Sequence, residues 1–261
     1  MSLRRHHLFL LKELVKRDFQ GRYAGSLLSF LWSFVQPLWM LVLFTFVFAG
    51  VLDIRVERMG AGTDNFAVFL FCGLLPWTAV QEGLMRSTTA ITDNSELVKK
   101  LRFPAEILAL SVVLGALLHE AIAAGVFFVV LVVLGELSWS TLPWLLLAVP
   151  LQVALTLGLG LLLAPAHVFF RDTSQVLGMA LMGWFYLTPI VYPSSWVPEE
   201  VAPIIRANPL TALVDLYRSA FLGTKVIFGP GAWGLFALAV GLPGLGLWLF
   251  RRLKPAFVDE I

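Results

Sequence analysis

The sequence predicts an all-α, polytopic membrane protein. It comprises six transmembrane helices, an N-terminal amphipathic interfacial helix, and short re-entrant helices between spans five and six. Three observations carry that prediction. An uncharged run of 26 residues, Leu27 to Leu52, can cross a hydrocarbon core of about 30 Å as a helix, with tilt to spare. Several comparable apolar runs follow it. Finally, 59% hydrophobic and 14% charged residues, with a mean hydropathy of +0.84, leave too little polar surface for a soluble globule of 261 residues.

The elements read in order as follows. Residues 1–26 form a basic amphipathic lead, residues 27–250 the six-span domain, and residues 251–261 a tail. Span one is Leu27–Leu52, interrupted only by Gln36-Pro37. After a polar loop, Asp53–Asn65, span two runs from Phe66 to about Met85. Arg86–Pro104 is a charged connection. Span three is Ala105–Leu134, with His119 and Glu120 near its middle. Span four is about Thr141–Phe170, and its Pro143, Pro150 and Pro165 leave open a split into two short helices. Span five runs from about Val176 to Tyr192, and span six from about Ala232 to Phe250. Between five and six, Leu210–Leu222 is apolar but too short to span, which points to a re-entrant or interfacial helix. The Pro-rich stretch Ser194–Asn208 supplies the other limb of a shallow hairpin.

Charge sets the orientation. Six spans put both termini on one face, which carries 14 Lys and Arg against five on the other (Arg55, Arg58, Arg206, Arg218 and Lys225). The positive-inside rule makes that face cytoplasmic. Cys72 is the single cysteine, so no internal disulfide or cysteine-based metal site is available. The first apolar run is too long for the core of a signal peptide. In the lead itself, Leu8, Leu11, Val15, Phe19 and Tyr23 recur at helical spacing, with Lys12, Lys16 and Arg17 off that stripe. This is the pattern of a helix lying flat on anionic headgroups.

Four stretches share a further pattern: RDFQGRYAGSLLSFLWSFVQPLWML (Arg17–Leu41), GLLPW (Gly73–Trp77), NSELVKKLRFPAEIL (Asn94–Leu108), and FFRDTSQVL followed by LTPIVYP and NPL (Phe169–Leu210). In order and spacing, over about 200 residues, they resemble ABC-2 type permeases that export O-antigen, teichoic acid or capsular polysaccharide. The resemblance implies a homodimeric, multi-pass permease of the inner membrane. It also implies a separate cytoplasmic ABC ATPase in two copies, carrying ATP and Mg, and a lipid-linked glycan as cargo. No catalytic residue, metal site, cofactor in this chain or nucleic-acid partner is expected. The absence of any G-x-x-x-x-G-K-[ST] string agrees with that division, since no phosphate-cradling loop is present.

Residue roles follow in part from the resemblance. Asn94-Ser95-Glu96 reads as a helix start, with Leu97, Val98 and Leu101 as a ridge among Lys99, Lys100 and Arg102. The resemblance makes Asn94, Glu96, Leu97, Lys99, Lys100 and Arg102 the coupling element that docks on the ATPase. Lys16, Arg17, Phe19, Arg22 and Tyr23 belong to the interfacial lead helix, read either as a passive anchor or as a moving gate element. Phe30, Trp32, Phe34 and Trp39 in span one, with Trp184, Phe185 and Tyr186 in span five, are candidates for an aromatic channel wall. Ring faces pack on sugar C–H faces and let a glycan slide. His119 and Glu120 form an intramembrane polar pair, read either as a proton relay or as a neutral or mutually bonded pair gluing helices. Other readings of the chain are an ABC-2 exporter of a drug or lipid, and an intramembrane enzyme using His119 and Glu120 as acid and base.

Overall fold

The computed structural model describes residues 2–21, 31–51, 62–100 and 104–260. Arg22, Tyr23, Phe30 and Arg102 lie outside the described residues, as do the side chains of Phe19 and Lys100. Eleven α-helices follow in order among the described residues: α1 (Ser2–Gly21), α2 (Trp32–Phe44), α3 (Phe66–Thr89), α4 (Ser95–Lys100), α5 (Glu106–Leu134), α6 (Leu145–Phe169), α7 (Thr173–Leu187), α8 (Ala202–Ala207), α9 (Pro209–Leu222), α10 (Pro230–Leu253) and α11 (Phe257–Glu260). Four stretches are long and apolar enough to cross a bilayer: Phe66–Thr89, Glu106–Leu134, Leu142–Phe169 and Pro230–Ala256.

The remaining two expected spans are shorter. The helix of α2 keeps Pro37 inside it and continues as a π-helix over Thr45–Val51. Span five stops early. It was expected to reach Tyr192, yet α7 has 15 residues and ends at Leu187. The cause is local: Pro189 follows Thr188, and a residue before proline is pushed out of the helical region. Thr188 accordingly sits at φ −106°, ψ 128°. Span four shows the opposite. Pro150 and Pro165 lie within one uninterrupted helix, α6, because neighbouring helices satisfy what a proline frees.

Local chemistry sets several ends. Asn65 caps α3, its Oδ1 accepting from the amides of Ala67 and Val68 at 2.9 and 3.4 Å. Gly135 and Gly223 close α5 and α9 with φ of 74° and 70°, the left-handed region where glycine costs least.

Helix α3 forms the centre. It packs against α5, α6, α7 and α9, and its side chains from Phe66 to Phe71 are all buried. Beside it, α9 is enclosed almost all round, with Leu213, Leu216, Tyr217 and Phe221 in the core. This short helix, expected to be re-entrant or interfacial, is enclosed by its neighbours rather than lying on the surface of the chain. The final segment, residues 251–260, packs back on the bundle. Phe257 is buried against Phe169 and Phe250, with ring centroids 6.2 and 5.4 Å away. Lys254 Nζ donates to Glu106 Oε2 at 3.0 Å, tying this segment to the start of α5.

Helices α6 and α10 approach closely at Gly158 and Gly246. A Cβ at Gly158 would stand 2.6 Å from Leu242 Cβ and 2.8 Å from Pro243 N. A Cβ at Gly246 would stand 2.8 Å from the Gly158 carbonyl oxygen. Small residues at such crossings let backbones meet, the usual basis of tight packing in lipid. Replacing Gly158 with leucine is expected to destabilise the chain by about 1–3 kcal/mol through overpacking. Thermal unfolding of the detergent-purified protein checks this, with Gly125→Leu, at an open position, as the reference.

Candidate functional site

The end of the molecule that carries α1 and α4 is held by polar contacts. Leu10 and Leu14 of α1 pack near Ala90, Leu108 and Val112. The next turn of the same face presents Asp18, whose carboxylate forms a salt bridge with Arg86 at the end of α3. Arg86 also donates to Glu82 Oε1 at 3.3 Å. One residue before Asp18, Arg17 Nη2 donates to Asn94 Oδ1 at 2.9 Å. These contacts enclose a polar hollow of about 290 Å³ lined by Arg17, Asp18, Arg86, Asp93 and Asn94. The face that packs is thus not the stripe picked out in the sequence, for Leu8 is 65% exposed. That helix has two apolar faces, and Leu10, Leu14 and Asp18 define the one turned to protein.

The expected docking element is divided in the same way. Asn94 does not simply start α4: besides holding Arg17, its Nδ2 donates to the Ala90 carbonyl at 2.9 Å. Val98 turns inward onto the clusters around Ala90 and Ile91. Glu96 and Lys99 are exposed and Leu97 is half-buried. The outward surface of α4 is therefore Glu96, Leu97 and Lys99.

The aromatic residues separate into different surroundings. Trp39 lines a cavity of about 460 Å³ bounded by α2, α3 and α5. Phe185 and Tyr186 line a groove of about 290 Å³ between α3 and α7, together with Trp77 and Gln81. Phe185 stacks at 5.4 Å on Trp77, a ring the sequence reading passed over. Trp32 is 38% exposed and Phe34 is half-buried. Trp184 turns to the interior, where its Nε1 donates to Asn208 Oδ1 at 2.8 Å.

Glu120 is buried in the middle of α5, joined to two other helices. Gln152 Nε2 of α6 donates to Glu120 Oε2 at 2.6 Å, and Tyr217 of α9 donates its hydroxyl to Gln152 Oε1 at 2.6 Å. All three side chains are buried. This linkage runs between helices, in keeping with gluing, and it uses two residues that the sequence reading did not single out. Both His119 and Glu120 line the cavity that holds Trp39.

A second polar hub lies at the other end. Arg218, counted above among loop charges, is only 4% exposed. Its Nη1 and Nη2 donate to the carbonyls of Pro189 and Ile190 at 2.8 and 3.1 Å. Its guanidinium lies 3.7 Å from the centroid of the Phe69 ring. Gly73 makes the room, since a Cβ there would come within 3.0 Å of Nη2. Asn208 completes the hub. It caps α9 by accepting from the Leu210 amide at 3.0 Å, and donates to Thr188 Oγ1 at 2.9 Å and the Leu187 carbonyl at 3.2 Å. The strings GLLPW, LTPIVYP and NPL thus meet in space, holding together the end of α7 and the start of α9.

Among the described residues this arrangement offers polar struts, hollows and the exposed surface of α4. Among the described residues no cluster of His, Cys, Asp and Glu suited to a metal ion occurs. Comparison with known proteins agrees with a transport architecture. A family model described as ABC-2 type transporter matches residues 10–222. The chain is 31% identical over 258 residues to an O-antigen export system permease protein of Myxococcus xanthus, covering 97% of this chain and 95% of that protein. It is 30% identical over 257 residues to an O-antigen export system permease protein of Klebsiella pneumoniae, covering 96% and 94%. A polysialic acid transport protein of Escherichia coli is 23% identical over 256 residues, covering 95% and 94%. With the family model spanning most of the chain and these relatives matching it nearly end to end, the chain belongs to the ABC-2 type transporter family.

Proposed function

We propose that this chain is the permease subunit of an ATP-driven exporter that moves a lipid-linked polysaccharide across the cytoplasmic membrane. The observation that carries the reading is near full-length similarity to permeases named for O-antigen export. In this reading six segments cross the membrane, α2 and α7 being the two short ones, and two copies pair around the path. Both termini are cytoplasmic. Charge supports that orientation: with Arg218 buried in the fold, the opposite face keeps four of its five basic residues, against 14.

ATP and Mg bind a separate ABC ATPase, two copies per permease dimer, because this chain has no phosphate-cradling loop. The ATPase docks on Glu96, Leu97 and Lys99 of α4, with Lys100 and Arg102 adding positive charge beside it. Movement of α4 reaches α1 through the Arg17–Asn94 contact. The exposed rings of α2 and α7 supply sliding surfaces for the glycan, and α8 and α9 form the outer lid. No bond-making step is assigned to any residue here.

The test is affinity purification of the chain from its host in mild detergent, followed by mass spectrometry. A stoichiometric partner carrying a P-loop is expected, and it should fall at least tenfold in recovery when Leu97 and Lys99 are both changed to glutamate. Recovery without any ATPase, under conditions that preserve other membrane complexes, overturns the proposal.

A further inference from the structure

The cavity bounded by α2, α3 and α5 has a chemistry that export of a glycan does not use. Its volume of about 460 Å³ and mostly apolar lining fall within the ordinary range for small-molecule sites, in which a few polar groups fix the ligand. Two of its polar groups are carboxyls. From α2 comes Gln36, from α3 Thr78 and Glu82, and from α5 His119 and Glu120. No lysine or arginine lines the cavity. The nearest cation on these helices, Arg86, is engaged by Asp18 and Glu82.

Glu120 is the group with an unmet need. It is 7% exposed. One oxygen accepts from the neutral amide of Gln152, and the other, Oε1, is buried without a hydrogen-bond partner. A carboxylate in such surroundings lacks a counter-charge, and an ionisable group at this depth marks a functional site by default. Trp39 and Phe71 add ring surface to the same walls, and ring faces attract organic cations. An anionic headgroup such as a phosphate would lie beside the carboxyls of Glu82 and Glu120 with no lysine or arginine to receive it.

We infer that this cavity binds a lipophilic organic monocation, with Glu120 as its counter-ion and Trp39 and Phe71 as its aromatic walls. The site lies within one chain and shares Trp39 with the glycan surface proposed above. It stands or falls on ligand binding alone.

The experiment uses the purified full-length chain, with any subunit that accompanies it, and two ions of like shape and opposite charge. Tetraphenylphosphonium and tetraphenylborate are titrated by equilibrium dialysis against matched empty micelles. Saturable binding of one tetraphenylphosphonium per chain is expected, at least tenfold tighter than the borate. Glu120→Gln keeps the acceptor for Gln152 and removes only the charge, and should weaken the cation at least tenfold. Ala123→Phe, one turn along α5 from Glu120, fills the cavity and should abolish saturable binding. Equal affinity for the two ions, non-saturable partitioning of the cation, or a Glu120→Gln chain that binds the cation as wild type does overturns the inference. The comparison of the two ions on the unmodified protein decides the matter even where a variant fails to fold.

Discussion

Changing Arg218 to methionine will abolish export and lower the stability of the purified protein by about 3 kcal/mol. The guanidinium makes two charge-assisted hydrogen bonds, to the carbonyls of Pro189 and Ile190, and such bonds contribute roughly 1.5–3 kcal/mol each. Removing them leaves two backbone acceptors without partners at the break between α7 and the segment that follows. Relief from burying a cation offsets part of this loss, since among the described residues the carboxylate within reach, Asp215, is 4.0 Å away and half-exposed. Lysine will not rescue. A single ammonium cannot reach both carbonyls as the planar fork does, nor lie flat on Phe69. Thermal unfolding in detergent and glycan export in cells read out the two effects. A methionine variant that melts and exports as wild type does would remove Arg218 from its place as the fastener of α9.

The second large effect is expected at Arg86. Its salt bridge with Asp18 joins α1 to the end of α3, where the carboxylate is only 10% exposed. A bond of this kind is worth roughly 1.5–3 kcal/mol, which corresponds to about one to two orders of magnitude in an equilibrium between docked and undocked α1. Arg86→Asp places like charges together and should reduce export by at least tenfold. In the proposed complex ATP hydrolysis should continue, since Leu97 and Lys99, proposed above to dock the ATPase, are untouched. Pairing Arg86→Asp with Asp18→Arg restores opposite charges and should recover most of the export. Failure of the double variant to recover would mean that Arg86 acts through Glu82 alone.

Much of the bundle was legible in the sequence because bilayer thickness imposes length on apolar runs. The bounds of α3, α5 and α10 follow from hydropathy to within a few residues. The early end of α7 was also legible in principle, in the rule for a residue before proline, though an apolar run carried the reading on to Tyr192. Arg218 was not legible. On a line it is one more basic residue between spans, and only folding reveals that Gly73, far off in α3, leaves a gap for it. The face of α1 was ambiguous for a different reason. Two apolar stripes share that helix, and the one that packs is marked by Asp18, whose meaning depends on Arg86 being opposite. For the residues expected to couple to an ATPase and the candidate aromatic rings, which sides of α4 and α7 they present is set by packing alone.

The closing of this end of the bundle has a consequence for how the chain is made. Phe257 and Phe250 complete a cluster with Ile91, Ala105, Ala109 and Val168, residues synthesised much earlier. Until Phe257 packs there, the ends of α3, α5 and α6 keep that apolar surface bare. Exposed surface of this kind is what makes partly built proteins aggregate. Membrane insertion can therefore begin with the first spans, but this cluster closes only once Phe257 has joined it.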